Sequence, residues 1–406
     1  MNVPFRPIVS ALFRSRAGAI LVAAQVAIAL AVLVNAVYMV KQRVDLINRP
    51  TGIDVDNIFV VGATGFTKDL NYRAMLDEDL TWLRSLPGVV GVTATNSVPL
   101  SGGGSSDYVK MTPNAKGGRE TLVNYFHFNE QGADTLGLKI IAGRWFTKEE
   151  VQPPGSSLFA VYSGPIVVTK DYADRLFPNG DALGKTVYGS SSQPLTIIGI
   201  VGHMLGSWLT GVDHPSDIMY MAFQPSGPGT RYLVRTKPGL RDQLMRKVEA
   251  ELGPRNVTRS VTNVRTLQLY KDRSYVTARN MSIYLSTVTV LLLAITSLGV
   301  FALATFNVST RTKQVGTRRA VGARRRDIVA HFLVENWMIT TTGVVIGCVL
   351  ALAAGHVLSV EYELPRVDLY YIVGGVLVMW VVGLGAAWHP SRRAARISPA
   401  LATRTV

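Results

Sequence analysis

GAILVAAQVAIALAVLVNAVYMV, residues 18–40, holds 23 positions without a charged side chain. A helix of that length reaches about 34 Å at ~1.5 Å per residue, enough to cross a hydrocarbon core. Three further runs of the same kind follow late in the chain: Ile283–Phe306, Asn336–Leu358 and Leu369–Trp388. Between the first run and these three lies a polar block, residues 41–280, long enough to fold as a domain of its own. The pattern predicts an α-helical membrane protein with four transmembrane helices, arranged one plus three. A large α/β domain of two subdomains is inserted between helices 1 and 2.

Composition agrees with that reading. The 406 residues are 48% hydrophobic and 17% charged, against about 25% charged in a soluble domain, and the mean hydropathy is +0.23. A disordered chain is excluded. The single cysteine, Cys348, sits in an apolar run, so neither a disulfide framework nor a thiolate metal cluster can be built. The first run exceeds the ~7–15 apolar residues of a cleaved signal peptide and follows a 17-residue basic lead, which makes it an uncleaved anchor. In that lead Ile8, Val9, Leu12 and Phe13 share a helical face flanked by Arg6, Arg14 and Arg16. It reads either as an amphipathic segment along the membrane surface or as a plain basic flank.

Charge sets the orientation, because Lys and Arg in short loops stay on the cytoplasmic side. Residues 1–17 carry three basic side chains, residues 307–331 carry seven against the one acid Asp327, and the tail after Trp388 carries four. The short loop 359–368 is acidic. The net charge of +15 is therefore mostly a topology signal, and no nucleic-acid partner is needed to explain it. Both termini are expected in the cytoplasm, with the large domain facing outward.

The outer block opens with a strand at Ile58–Val61, a helix at Leu70–Leu86 stopped by Pro87-Gly88, and a strand at Val89–Thr95. It closes with a strand at Tyr232–Arg235, a helix at Leu240–Leu252 stopped by Gly253-Pro254, and a strand at Val257–Val264. These two β-α-β halves resemble each other. Residues from about 129 to 224 carry their own strands, Ile166–Thr169 and Leu195–Val201, and a helix at Lys170–Phe177, and are read as an inserted subdomain. Gly184-Lys185-Thr186 looks like the end of a phosphate loop, but residue 179 is Asn where that motif needs Gly. The stretch Ser101–Ser106 (SGGGSS) reads as a mobile Gly/Ser loop. His203 and His214, near Asp213 and Asp217, are the nearest histidine pair in the block. A metal or acid/base site there is a weaker reading than ordinary surface histidines. No catalytic constellation emerges.

From Arg265 to Met281 there is no Gly or Pro. One helix from about Arg265 to Phe306 would extend ~60 Å and project outward as a stalk able to carry movement. The alternative is two helices with a bend at Ser274–Thr277, which are poor helix formers. Beyond Phe306, a short helix with Gly322 as its stop and Asp327 at the start of the next helix carries the seven basic residues. Glu335 lies one turn after His331 on the same face, near a membrane helix end. It is expected to pair with His331 or with an Arg of the preceding loop.

Residues Arg311–Ala323 (RTKQVGTRRAVGA), with Arg325-Arg326-Asp327-Ile328 and Phe332 to Glu335, resemble the signature of MacB/FtsX-like ABC transporter permeases. The outer domain is similar too: Leu136–Phe146 (LGLKIIAGRWF) and Arg175–Lys185 (RLFPNGDALGK) match that family's patterns, as does the tail Arg392–Ala400 (RRAARISPA). The resemblance implies a coupling loop in which Gly316, Arg318, Arg319, Gly322, Arg324, Arg325, Arg326 and Asp327 receive force from an ATPase. It implies no cofactor on this chain, with ATP and Mg on the partner ATPase, since no Walker motif occurs in the sequence. Implied partners are a cytoplasmic ABC ATPase subunit, a second permease (a homodimer mate or a sister permease), membrane lipids, and in some arrangements a periplasmic adaptor and an outer-membrane channel. The expected function is a non-enzymatic permease driving efflux or release of a periplasmic or membrane-derived substrate. The alternative is a mechanotransmission permease that regulates a periplasmic cell-wall enzyme.

The expected segments are a lead (1–17), helix 1 (18–40), outer domain (41–280), helix 2 (281–306), coupling loop (307–331), helix 3 (332–358), outer loop (359–368), helix 4 (369–388) and tail (389–406).

Overall fold

A computed structural model of the chain describes residues 16–66, 71–113, 120–153, 162–224, 229–256, 258–361 and 367–397. Most of the basic lead, half of the short acidic loop and the end of the tail lie outside the described residues. The chain divides into two compact units, one built from its two ends with boundaries at Asn48 and Ala278, the other running from Arg49 to Thr277.

The helical unit contains α1 (Arg16–Asn48) and three helices given below as α7, α9 and α10. All four are long and apolar enough to cross a membrane. Its core runs along α1 at Val22, Val26, Leu30 and Leu33, the i, i+4 spacing of one helical face, and draws on Val300, Leu303, Ile339, Val344 and Met379. Close approach between α1 and the third long helix depends on Gly343 and Gly347. A Cβ at Gly343 would stand 2.6 Å from the Ala23 carbonyl oxygen and 2.8 Å from Val26. A Cβ at Gly347 would stand 2.9 Å from the Ala27 carbonyl oxygen. This is the small-xxx-small pattern that lets membrane helices pack backbone to backbone. The buried Asn35 adds a polar tie, its Nδ2 donating to the Ala31 oxygen at 2.9 Å and the Ala351 oxygen at 3.2 Å.

The α/β unit holds two sheets. The first is built from β1 (Ile58–Gly65), β2 (Val89–Thr95), β10 (Gly229–Thr236) and β11 (Arg259–Thr266), with α2 (Tyr72–Ser85) and α5 (Arg241–Leu252). The strand order is β11-β1-β10-β2, and β10 is antiparallel to both β1 and β2. Each β-α-β half is thus split, β1-α2-β2 receiving β10 between its strands and β10-α5-β11 receiving β1. Phe59, Val61, Val92, Ala94, Tyr232 and Val234 line one face against Leu76, Leu80 and Leu83 of α2 and Leu244, Val248 and Leu252 of α5. Asn71 caps α2, its side chain accepting from the Ala74 N–H at 3.0 Å. Under α2, Asp79 pairs with Arg259 in full burial and accepts from the Tyr232 hydroxyl at 2.6 Å. Burial and the adjacent Asp79 push the Tyr232 phenol well above its usual range.

The second sheet has the order β5-β8-β6-β9-β4-β3-β7, from β3 (Ser105–Lys110), β4 (Glu120–Phe128), β5 (Ile140–Gly143), β6 (Gly164–Thr169), β7 (Thr186–Tyr188), β8 (Pro194–Val201) and β9 (Ile218–Ala222). Because β7 also pairs with β8, six strands close into a ring, with β5 on the rest of the same β8 edge. Of two short helices, α3 (Gly132–Leu136) packs against β2 and β10 of the first sheet, and α4 (Lys170–Leu176) packs against β6 and β8 of this one. The inserted subdomain therefore begins near residue 105 and not near 129: β3 and β4 pair along their length in this sheet, although their polar side chains give little strand signal. Phe126, Phe128, Tyr220 and Trp145 stack at its centre with ring centroids 5.3–6.2 Å apart.

On β4 the His127 ring lies 4.8 Å from Phe223 and 5.3 Å from Tyr125. Burial lowers its pKa from 6.5 to about 4. A histidine held neutral in the folded state stabilises the fold above its unfolded pKa, and that stability is lost as pH falls from 6.5 toward 4. Acidification from pH 7 to pH 5 is expected to remove about 2 kcal/mol through this group. Thermal melting of the full chain in detergent at both pH values checks it: His127→Leu should lose less stability on acidification than wild type, and an equal loss would contradict the assignment.

The expected single stalk helix is two helices. α6 (Leu267–Ser274) is capped by the Thr266 side chain accepting from Leu269 N–H, and it stops at Tyr275, whose backbone (φ −99°, ψ 3°) leaves the helical range. α7 (Val276–Thr310) then starts afresh. The bend falls where the Ser274–Thr277 alternative put it, and Ser274 Oγ, by donating to the Leu100 oxygen at 2.6 Å, fixes α6 to the α/β unit.

Candidate functional site

After α7 come α8 (Thr312–Ala320), α9 (Arg325–Glu361) and α10 (Leu369–Ala394). The turn between α8 and α9 is closed by Gly322 at φ +100°. Ala323 N–H donates to the Arg318 oxygen at 3.0 Å and Gly322 N–H to the Arg319 oxygen at 3.2 Å, the two bonds of a Schellman stop. A Cβ at Gly322 would meet nothing within 4 Å, so glycine is needed there for its left-handed backbone and not for space. On the far side of the turn Asp327 accepts from the Arg324 N–H at 3.1 Å and puts a negative charge in the first turn of α9.

The base of this element is apolar. Val315 of α8 packs with Val308, Ile328 and Phe332, and with Ala394 and Ala395 at the end of α10. Gly316 is buried beside it. Arg319 turns inward and donates to the Ile397 oxygen at 2.5 Å, so it ties α8 to the segment after α10. What faces outward is Arg318, Arg324, Arg325 and Arg326 together with Val321, which is 84% exposed. Val321 and these four arginines are thus exposed together within nine residues of the chain. The sequence reading named the arginines and passed over Val321, whose signal was an apolar residue immediately before a helix-stopping glycine.

Glu335 is paired with Arg311, Nη1 to Oε2 at 2.9 Å, and its side chain is 1% exposed. Among the described residues no hydrogen bond or ion pair joins it to His331, whose ring instead meets Phe332 edge-on at 5.7 Å. The membrane ionisable pair is thus Arg311 and Glu335, and not His331 and Glu335. The pair ties Arg311, the residue before α8, to the third turn of α9.

The other sequence candidates separate. His203 Nδ1 lies 2.8 Å from Asp171 Oδ2 on α4 and does not meet His214. Gly184–Thr186 forms a turn into β7, with Lys185 bound to Asp181 at 3.2 Å. Among the described residues no group of three His, Cys, Asp or Glu could hold a metal ion.

The MacB-like periplasmic core domain family matches residues 18–251, and the FtsX-like permease C-terminal family matches residues 286–399. The macrolide export ATP-binding/permease protein MacB of Neisseria meningitidis serogroup A is 24% identical over 305 residues, 69% of this chain and 43% of that protein. A probable export ATP-binding/permease protein MacB of Pseudomonas entomophila is 28% identical over 246 residues, 58% of this chain and 36% of that one. The chain spans less than half the length of these curated relatives. Among solved structures, the periplasmic region of MacB from Actinobacillus actinomycetemcomitans aligns at 17% identity and a TM-score of 0.34, covering 56% of this chain and 97% of that one. The extracellular domain of the noncanonic ABC-type transporter YknZ from Gram-positive bacteria aligns at 17% identity and 0.31, covering 50% and 100%. With an α/β core domain and a permease C-terminal region matched in this order along four apolar helices, the chain belongs to the MacB/FtsX-like family of ABC transporter permeases.

Proposed function

We propose that this chain is the permease subunit of an ABC transporter, and that the turn from α8 to α9 receives force from a separate cytoplasmic ATPase. α7 and α6 pass that force to the α/β domain on the periplasmic side of a bacterial inner membrane, driving efflux or release of a periplasmic or membrane-derived substrate. The termini and the basic turn face the cytoplasm in this reading, supported by the concentration of Lys and Arg in those segments. ATP and Mg bind the partner ATPase, the permease chain itself catalyses nothing, and a second permease completes the unit. A periplasmic adaptor and an outer-membrane channel are further proposed partners.

The observation that carries the reading is the construction of the turn. Its exposed apex of Val321 and four arginines stands on a buried apolar base and is braced by Arg311 and Glu335. A flank needed only for topology requires no such base. Replacing Val321 with Asp together with Arg325→Glu is expected to lower the amount of co-purifying ATPase at least about tenfold, because an apolar anchor and a charge pair both contribute at a small interface. The melting temperature should not move, since both side chains point to solvent. Undiminished ATPase docking and coupling would refute the role of the turn. A pull-down with the full chain then separates cargo transport from regulation of a cell-wall enzyme by what the α/β domain retains.

A further inference from the structure

The Gly/Ser stretch that reads as a mobile loop is instead one wall of a cavity of about 430 Å³, within the ~300–1,000 Å³ of small-molecule sites. Leu100 N–H donates to the Gly206 oxygen at 3.0 Å and Gly102 N–H to the Ser207 oxygen at 2.8 Å, so the loop is held at both sides. The other walls come from Asn96 and Ser97 after β2, Arg231 on β10, Arg265 on β11 and Tyr270 on α6. None of the described lining residues is Asp or Glu.

Donors dominate this cavity. Arg231 spends one N–H on the Asn96 oxygen at 2.9 Å, and a guanidinium has five. The Arg265 side chain makes no hydrogen bond or ion pair among the described residues, its backbone being held opposite Val60 of β1. It follows a register shift of β11 against β1 between Val60 and Gly62, where Asn263 adopts φ +57°. A bulge of this kind re-aims the next side chains, and a left-handed non-glycine residue is uncommon enough to ask for a reason. Ser97 is 3% exposed and its hydroxyl has no partner; the buried Nδ2 of Asn96 has none either. The Asn96 amide is oriented by its Oδ1, which accepts from the His127 N–H at 2.9 Å, leaving the NH₂ as the orphan. Buried donors without acceptors are costly.

We infer that this cavity binds a phosphate-bearing small molecule, with Arg231 and Arg265 neutralising its charge and Ser97 and Asn96 donating to its oxygens. A carboxylate takes its donors in one plane on two oxygens. Here two guanidiniums come from different strands, with no carboxylate among the described lining residues, which matches the double charge of a phosphate monoester rather than the single charge of a carboxylate. The volume leaves room for an attached glycerol or sugar. The same phosphate ester chemistry is found in soluble metabolites and in lipid headgroups, and the site would bind whether or not the chain serves a transporter.

The test is calorimetric titration of the full chain in phosphatidylcholine nanodiscs with glycerol 1-phosphate and, separately, with dihexanoyl phosphatidic acid. Saturable binding of either probe is expected, and which of them binds tells a soluble ester from a lipid headgroup. Arg265→Gln should weaken it about tenfold, the loss of a charge-assisted contact, and Ser97→Ala should weaken it less. Arg246→Gln, an exposed arginine on α5, should change it less than twofold. The Arg265 side chain has no hydrogen bond or ion pair to lose among the described residues, so its variant should melt with wild type. Absence of saturable binding by wild type to both probes, or equal weakening in R265Q and R246Q, overturns the proposal.

Discussion

Asp79→Ala is expected to destabilise the α/β domain by about 3–5 kcal/mol, the cost of leaving one member of a buried ion pair alone. Arg259 is 1% exposed and Asp79 3% exposed by side chain, and a guanidinium cannot shed its proton to escape. Its Nη2 keeps the Leu252 oxygen at 2.9 Å, which satisfies a donor but not the charge. Tyr232 loses its acceptor in the same stroke. Arg259→Met should cost less, because a carboxyl left behind can protonate and still be held by the tyrosine hydroxyl. The double variant Asp79→Leu, Arg259→Met removes both charges and should recover most of the loss. Chemical denaturation of the full chain in detergent, followed by fluorescence, measures all three. If the double variant were as unstable as Asp79→Ala, the burial of an unpaired charge would not be the cause.

The second large effect belongs to the helical unit. Gly343→Leu should abolish the monodisperse folded species, because the new Cβ faces the Ala23 carbonyl oxygen at 2.6 Å and a backbone atom cannot rotate away. Overpacking a core ordinarily costs about 1–3 kcal/mol. Here α1 must move off α9 along its length, and Gly347 and the Asn35 bond to Ala351 are lost with it. Gly347→Leu should act similarly. Gly374→Leu on α10 is the control, since nothing lies within 4 Å of a Cβ there. Size-exclusion profiles and melting in one detergent separate the three, and a normal Gly343→Leu profile would contradict the close helix contact.

Much of this fold was legible from the chain alone, and particular residues explain what was not. Apolar runs without charge identify spanning helices because the bilayer sets one length. The halves around Pro87-Gly88 and Gly253-Pro254 stood out because their helices are punctuated. Strand β3, Ser-Ser-Asp-Tyr-Val-Lys over 105–110, carries one buried side chain, Val109. It lacks the alternation that marks a strand, and so the insert was started too late. Asp79 and Arg259 are far apart in sequence, and only the sheet order brings them together. Glu335 offered a nearby partner, His331, and a distant one, Arg311. Helical spacing put His331 on the same face, and only the placement of Arg311 beside α9 shows which partner Glu335 takes. Gly343 and Gly347 look like ordinary glycines of a membrane helix unless the opposing backbone is known.

The split halves also govern the order in which this domain can come into being. Among the described strands, β1 has as neighbours only β10 and β11, and β2 pairs only with β10. A ribosome delivers the entire ring between β3 and β9 before either arrives. Until then the first two strands and α2 have no ladder to join, so the late-emerging Gly229–Thr236 acts as the keystone of the vectorially made protein. Such long-range closure is slow. A nascent chain stalled before Gly229 would present an uncovered apolar α2 to chaperones, with the ring already complete.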